Sequence, residues 1–270
     1  MNFNVYVPSR GRARMDLQYT IKMFSPAVRA VTNLVVRPDE VEAYTPIAEQ
    51  LGVKLVTRPE HCQNLSQTLD WIIHEHAFPG APAIMLDDDL RFSVRIDEED
   101  MTKTSLRLAD QSDVDRILVE LNDLVRDGYP MAGVSARFGN NNLTKSAVQY
   151  CGRQMQVHAV DPDYFRNNAI HPGKVVCKSD FFMTLSVLTS GSQNAIICWA
   201  TVDQAKGSNS EGGVSVYRDF DTLNDGAETL RLFFPKYVKV VLKTTKWKGI
   251  DRPFSDVRIS WRKAYEESEG

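Results

Sequence analysis

The sequence predicts an α/β protein, a mixed sheet flanked by helices within one domain spanning residues 1–270. Three observations predict it. Short apolar runs alternate with helical patterns through the first 90 residues. The links between them are short, as in a parallel α/β sheet. Two polar loops, Pro8-Ser9-Arg10-Gly11-Arg12 and Asp87-Asp88-Asp89, each directly follow an apolar run. Such sheets bind ligands beyond the carboxyl ends of their strands.

Strands are predicted at Asn4–Val7, Thr32–Val36, Lys54–Val56 and Ala83–Leu86. Helices are predicted between them at Met15–Phe24, from Pro38 to Gly52, and at Leu65–Ala77. Pro38 suits a first turn and Gly52 a C-terminal cap. Ser112–Asp127 carries Val114, Ile117, Leu118, Leu121, Leu124 and Val125 on one face. Ser112 is its expected cap and Gly128 its stop. A strand is expected at Met131–Val134, a polar loop at Gly139–Ser146, and a helix at Ser179–Leu188. A buried strand follows at Ala195–Thr201, then a loop at Lys206–Gly213, a helix at Thr222–Phe234 stopped by Pro235, and a strand at Val238–Leu242.

Composition is that of an ordinary globular chain, with 43% hydrophobic and 25% charged residues. No apolar run approaches the roughly 18 residues of a membrane span, and no leader pattern opens the chain. Cys62, Cys151, Cys177 and Cys198 are scattered, which argues against a zinc knot or disulfide framework and for reduced thiols in a cytoplasm. The net charge of −3 is uneven: −7 over residues 1–127 and +4 over residues 128–270. A basic second half could face a polyanion.

The strongest chemical signal is the acidic triplet. Three adjacent carboxylates after a buried strand need a compensating charge. Hard oxygen ligands suit Mg²⁺ or Mn²⁺, which keep positions open for phosphate oxygens. In an extended turn Asp87 and Asp89 would share one side and Asp88 would point away, which makes Asp87 and Asp89 the expected metal ligands. The structural alternative is a solvated acidic turn. In the first loop, Gly11 permits a tight turn, and Arg10 and Arg12 offer forked donors to phosphate beside a helix N-terminus. Pro8, Ser9, Asp87 and Asp88 belong to the same expected nucleotide site. Arg58 and the following His61, Asn64 and Ser66 would lie at the same edge, although Asn64 also reads as a helix cap. Asp180 opens a helix and is either a general base or a partner of the helix dipole. His158 and His171 flank that region, and either could complete a metal site. Near the C-terminus Trp247 and Trp261 interleave with Lys239, Lys243, Lys246, Lys248 and Arg258. With Trp199, Arg252, Arg262 and Lys263 this suits contact with a nucleic acid or an extruded base, while an amphipathic strand pair with a solvated face is the reading the sequence alone favours.

The blocks VPSRGRA, NLSQTLDWII, MLDDDLRFSVR, SDFFMTLSVLTSG and GGVSVYRD together resemble the GT-A-fold glycosyltransferases. They are most similar to the phage group associated with TET/JBP-type dioxygenases. The resemblance implies a GT-A-like, Rossmann-like fold, with residues 1–92 as the nucleotide-sugar half and 93–270 as the acceptor half. It implies a UDP-sugar donor, a divalent metal on Asp87 and Asp89, and Asp180 as the base; the candidate third ligand, His171, comes from the residue reading above. The acceptor it implies is 5-hydroxymethylcytosine in phage DNA, modified in the host cytoplasm. Two positions depart from the pattern: Leu69 replaces an arginine before Asp70-Trp71, and Ser179 replaces an acidic residue before Asp180. Competing readings are a glycosyltransferase with a glycan, protein or small-molecule acceptor, a nucleotidyltransferase or nuclease, and a non-catalytic nucleic-acid binder.

Overall fold

The computed structural model describes residues 3–136, 146–205, 212–217, 219–247 and 250–268. Twelve strands are found among them: β1 (Asn4–Pro8), β2 (Thr32–Val36), β3 (Lys54–Thr57), β4 (Ala83–Leu86), β5 (Leu90–Arg95), β6 (Leu106–Leu108), β7 (Met131–Ala136), β8 (Val148–Tyr150), β9 (Val157–Val160), β10 (Asn194–Gln204), β11 (Val238–Trp247) and β12 (Ile250–Ile259). The α-helices are α1 (Tyr19–Lys22), α2 (Pro26–Ala30), α3 (Val41–Leu51), α4 (Leu65–Trp71), α5 (Gln111–Arg126), α6 (Pro162–Asn167), α7 (Ser179–Thr189), α8 (Phe220–Phe233) and α9 (Trp261–Glu266).

The main sheet runs β3-β2-β1-β4-β9-β7-β10-β5-β6, with β8 paired to β10. Its first four strands are parallel. That order is the one in which doubly wound nucleotide-binding sheets begin. Beyond β4 the sheet turns mixed: β9 is antiparallel to β4 and β7, β7 and β10 are parallel, and β5 is antiparallel to β10. The predicted mixed α/β sheet flanked by helices is what forms.

Alternation along β1 shows why both faces are covered. Val5 and Val7 join Ile84 and Leu86 in a core under α3 and α5, with Tyr44, Ile117 and Leu121. Tyr6, one residue out of phase, joins Val35 and Met85 in the opposite core with Ile72, Phe182 and Leu185. Every residue of β2 is buried, as a central parallel strand requires.

Several boundaries differ from expectation for local reasons. The predicted helix Met15–Phe24 breaks at Gln18, whose φ of −88° and ψ of 65° are not helical. Its side-chain amide instead donates to the Arg12 carbonyl at 2.6 Å. Asp110 rather than Ser112 caps α5, closing a reciprocal box with Asp113. After Trp71 the helix widens into a π turn, Ile72–His76. The expected loops at Gly139–Ser146 and Lys206–Gly213 lie largely outside the described residues. The hairpin β11–β12 is separate from the main sheet and packs on α8, where the Ser255 N–H donates to Asn224 Oδ1 at 2.6 Å.

Candidate active site

β1 and β4 are neighbours, with Tyr6 opposite Met85, so the loops after them meet. Ser9 Oγ donates to Asp88 Oδ2 and lies 2.8 Å from the Tyr44 hydroxyl, which also accepts from the Arg12 N–H at 2.9 Å. Arg12 is buried. Its Nη1 pairs with Asp88 Oδ1, and its Nη2 lies 3.1 Å from Asp89 Oδ2. Two expectations are corrected here. Arg12 is the internal counter-ion of the triplet and not a loose phosphate donor. Asp88 does not point away from Asp89, because the chain turns at once after β4 and both carboxylates reach one guanidinium. Gly11 does not line the cavity formed here. It shapes the loop, with φ of 66° and its N–H donating to Glu40 Oε1 at 2.6 Å.

Burial, then the carboxylates of Asp89 and Asp88, push the Asp87 carboxyl well above the usual range, and Arg12 opposes them. Burial likewise raises Asp88, to about 6, against the pull of Arg12 and Ser9. Burial alone would lower Arg12, but Asp88 and Asp89 raise it. The described contacts set three adjacent carboxylates around the Arg12 guanidinium, which pairs with Asp88 and Asp89. Asp87 has no ion pair or side-chain hydrogen bond among the described residues. The donor set therefore fits a hard divalent cation, with Asp87 the carboxylate left to face it.

These loops wall a cavity of about 590 Å³. Pro8, Ser9, Arg10, Arg12, Arg58, Asn64, Asp87, Asp88, Asp89 and Asp180 all line it, as do Ser66 and His158, so of the nucleotide, metal and base candidates named from sequence only Gly11, His61 and His171 are not brought to this cavity. Arg58, 6% exposed, donates to Thr68 Oγ1 at 2.9 Å and has no carboxylate partner among the described residues. Burial lowers its pKa, Arg37 and Arg10 lower it further, and Cys62 and Glu40 oppose them. Asn64 is both cap and wall: its Oδ1 accepts from the Gln67 N–H at 2.9 Å while the residue lines the cavity.

Asp180 stands in the first turn of α7, and its charge is felt at both Asp87 and His158. His158 is buried in the cavity wall, lowered to about 4 by burial against the opposing Asp180 charge, and its Nδ1 has no hydrogen-bond partner. His171 is elsewhere: it lines a second cavity and bonds Asp70, so the structure does not bring it to the triplet. His61 lines that second cavity too.

Sequence reasoning named Lys243 but missed the rest of the far wall. Lys178, Tyr217, Lys243, Phe254 and Asp256 all face the cavity. Lys178 adopts a left-handed backbone (φ 69°) that non-glycine residues avoid, and its ammonium reaches Asp256 Oδ1 at 2.7 Å. Lys243 reaches Asp256 Oδ2 at 2.5 Å. No short motif signals this, because the hairpin folds back from far along the chain. Lys246 and Trp247 have side chains outside the described set, and Lys248 lies outside it altogether.

Residues 3–213 match the model of a family described as TET-Associated Glycosyltransferase. Among solved structures the chain is similar to the crystal structure of mannose-1-phosphate geranyltransferase from Thermus thermophilus. Sequence identity is 13% and the TM-score 0.40, with 75% of this chain and 76% of that chain covered. The comparison with curated proteins gives no match. Among the described residues no helix is long and apolar enough to cross a membrane.

Proposed function

The chain belongs to the TET-Associated Glycosyltransferase family, and from that premise we propose that it moves the sugar of a UDP-sugar onto the hydroxyl of 5-hydroxymethylcytosine in DNA. The observation that carries the donor part is the cavity's polarity. The acidic triplet, whose Asp87 has no ion pair among the described residues, lies on one wall, and a buried Arg58 with no carboxylate partner among the described residues lies on another. A diphosphate bound to a divalent cation answers both needs at once. Residues 1–92 would then form the nucleotide half and 93–270 the acceptor half.

Asp87, supported by Asp89, would hold Mn²⁺ or Mg²⁺, which when bound takes up charge on the departing diphosphate. Arg12 fixes Asp88 and Asp89 in one geometry. Arg58 and Arg10 meet phosphate oxygens. Asp180 faces the same cavity and is placed to accept the proton of the attacking hydroxyl if the configuration at the sugar inverts.

The acceptor part is supported by charge. Residues 236–263 carry nine Lys or Arg against two Asp, in a chain whose net charge is −3. A duplex base would have to be flipped out to reach the cavity, and Phe254 and Tyr217 offer faces for it to stack on.

Calorimetry of UDP binding with Mn²⁺ and with a chelator tests the donor reading, and equal affinity in both rules out the metal. Mass spectrometry of nucleosides after incubating hydroxymethylated DNA with a panel of nucleotide sugars tests the acceptor. Absence of transfer from every donor leaves a glycan, protein or small molecule as acceptor. A Lys246→Ala/Lys248→Ala variant should raise the apparent KM for DNA. It should also flatten the salt dependence, with the log–log slope falling by on the order of 0.9 for each phosphate no longer neutralised.

A further inference from the structure

Helix α4 has two working faces. Leu65, Ser66 and Leu69 line the donor cavity, while Gln67, Asp70 and Trp71 line a second cavity of about 410 Å³ on the other side. Nothing in the proposed transfer uses that second side. Yet it gathers the residue types that bind transition metals. Asp70 and His74 sit four residues apart, where successive helical turns bring side chains together. His171 enters from the cap of the short helical turn Pro172–Lys174. One ligand atom from each of the three lies within 4.8 Å of the other two.

The distances have the scale of a coordination shell. His171 Nδ1 lies 3.1 Å from Asp70 Oδ1, and His74 Nε2 lies 3.4 Å from that same oxygen. Two ligands bound tetrahedrally at about 2.0–2.1 Å are separated by roughly 3.3 Å. The imidazoles stack at 4.0 Å between centroids, 15° from parallel, so each ring would tilt out of the stack to aim its lone pair at a shared ion. His74 Nε2 also lies 2.9 Å from the Ile170 carbonyl oxygen, a bond it would exchange for the metal. The backbone crowds the site: a Cβ on Gly173 would sit 2.7 Å from Asp70 Oδ2. All three side chains are partly exposed, at 26%, 16% and 40%, which leaves access and an open coordination position.

We propose that Asp70, His74 and His171 form a second metal site, for a transition-metal dication of the zinc type and distinct from the acidic triplet. Two imidazoles and one carboxylate select a borderline ion over Mg²⁺, which the triplet's all-oxygen set suits. Binding would fasten the Pro172–Lys174 turn to α4, whose opposite face walls the donor cavity. The inference stands apart from the proposed sugar transfer, since neither the residues nor the ion class is shared.

The test uses the full chain stripped with a chelator and then titrated with Zn²⁺. Calorimetry should show Zn²⁺ binding that survives Asp87→Asn and weakens by at least about tenfold in His171→Ala and in Asp70→Asn. Titration with Co²⁺ should give the visible absorption of an imidazole-ligated ion. Histidine-selective ¹⁵N spectra of the unaltered chain make the test independent of any variant's folding: the ring signals of His74 and His171 should shift on adding one equivalent of Zn²⁺. Unmoved ring signals overturn the proposal. So does Zn²⁺ binding that vanishes with Asp87→Asn alone, or that is unchanged in both His171→Ala and His74→Ala.

Discussion

Replacing Arg12 with Met keeps most of the side chain's volume and removes the charge that neutralises the triplet. In the folded chain Arg12 meets two carboxylates, with side chains 7% exposed for Arg12 and 6% for each Asp. Deleting one member of such a buried pair costs about 3–5 kcal/mol, because the survivors stay charged and desolvated. Here two aspartates are left, beside a third, Asp87, that Arg12 also stabilises. For a chain of this length about 1 kcal/mol moves Tm by roughly 2 °C, so R12M should melt about 6–10 °C below the unaltered chain in chelator. A second substitution, Asp88→Asn, removes part of the stranded charge. The double variant should then recover a substantial part of the loss, a coupling on the order of 1–3 kcal/mol. Mn²⁺ should raise the Tm of R12M more than that of the unaltered chain, since the freed carboxylates gain most from a cation. Thermal and urea unfolding with and without metal read all three effects. An R12M loss below about 1 kcal/mol, or strict additivity with Asp88→Asn, would refute the assignment of Arg12 as the triplet's counter-ion.

Asp180→Asn keeps the side chain's size but cannot accept a proton; transfer should fall by about 10²-fold or more while calorimetric donor affinity is unchanged. Gly133→Ala places a Cβ 2.7 Å from Gln154 Nε2, which bonds the Ala132 and Val157 carbonyls; denaturant unfolding should show a loss of about 1–3 kcal/mol. Asp256→Asn removes the tie between the hairpin and Lys178. Burial would raise the Asp256 carboxyl, but the charge and hydrogen bonds of Lys178 and Lys243 outweigh it and hold the group below its ordinary range. A depressed carboxylate stabilises above about pH 4 and loses that contribution as pH falls through its folded value. At neutral pH the variant should therefore exchange the amides of β11 and β12 faster, with a loss of about 1–3 kcal/mol. Its difference from the unaltered chain should shrink as the solution is acidified below about pH 4.

The first 92 residues are largely legible in the sequence because their signals are local. The buried runs TNLVV and AIML have no alternation, as central parallel strands require, and β2 and β4 form at those residues. The two loops after β1 and β4 can be paired by topology alone, since strand order brings their ends together. What the chain does within those loops is not legible. Whether Arg12 serves phosphate or carboxylate depends on the turn at Asp88, which no spacing rule sets. His171 reads as a neighbour of the triplet because it precedes Asp180 by only nine residues. The short turn at Pro172–Lys174 instead leaves it against α4. β9 is hidden for a related reason: VHAV is four residues long, and its histidine invites a functional reading before a structural one.

The family match ends at residue 213, and the cavity does not. Leu223 of α8 and Lys243, Phe254, Asp256 and Val257 of the hairpin complete its wall. The part within the match carries the triplet, Arg58 and Asp180, to which the proposed reaction gives the donor and the attacking hydroxyl. The part beyond it carries the excess positive charge of residues 236–263, and it touches the catalytic side through Lys178, the residue that caps α7 two positions before Asp180. Lys178 is held in a left-handed conformation there, and such strain persists only where the surroundings fix it. Asp256 holds the side chain of that residue. Movement of the hairpin on binding a polyanion would reach the first turn of α7 through the Lys178–Asp256 ion pair, beside the packing of Trp261 on Phe181. Under the proposed reaction, that is the route by which an acceptor could set the position of the base.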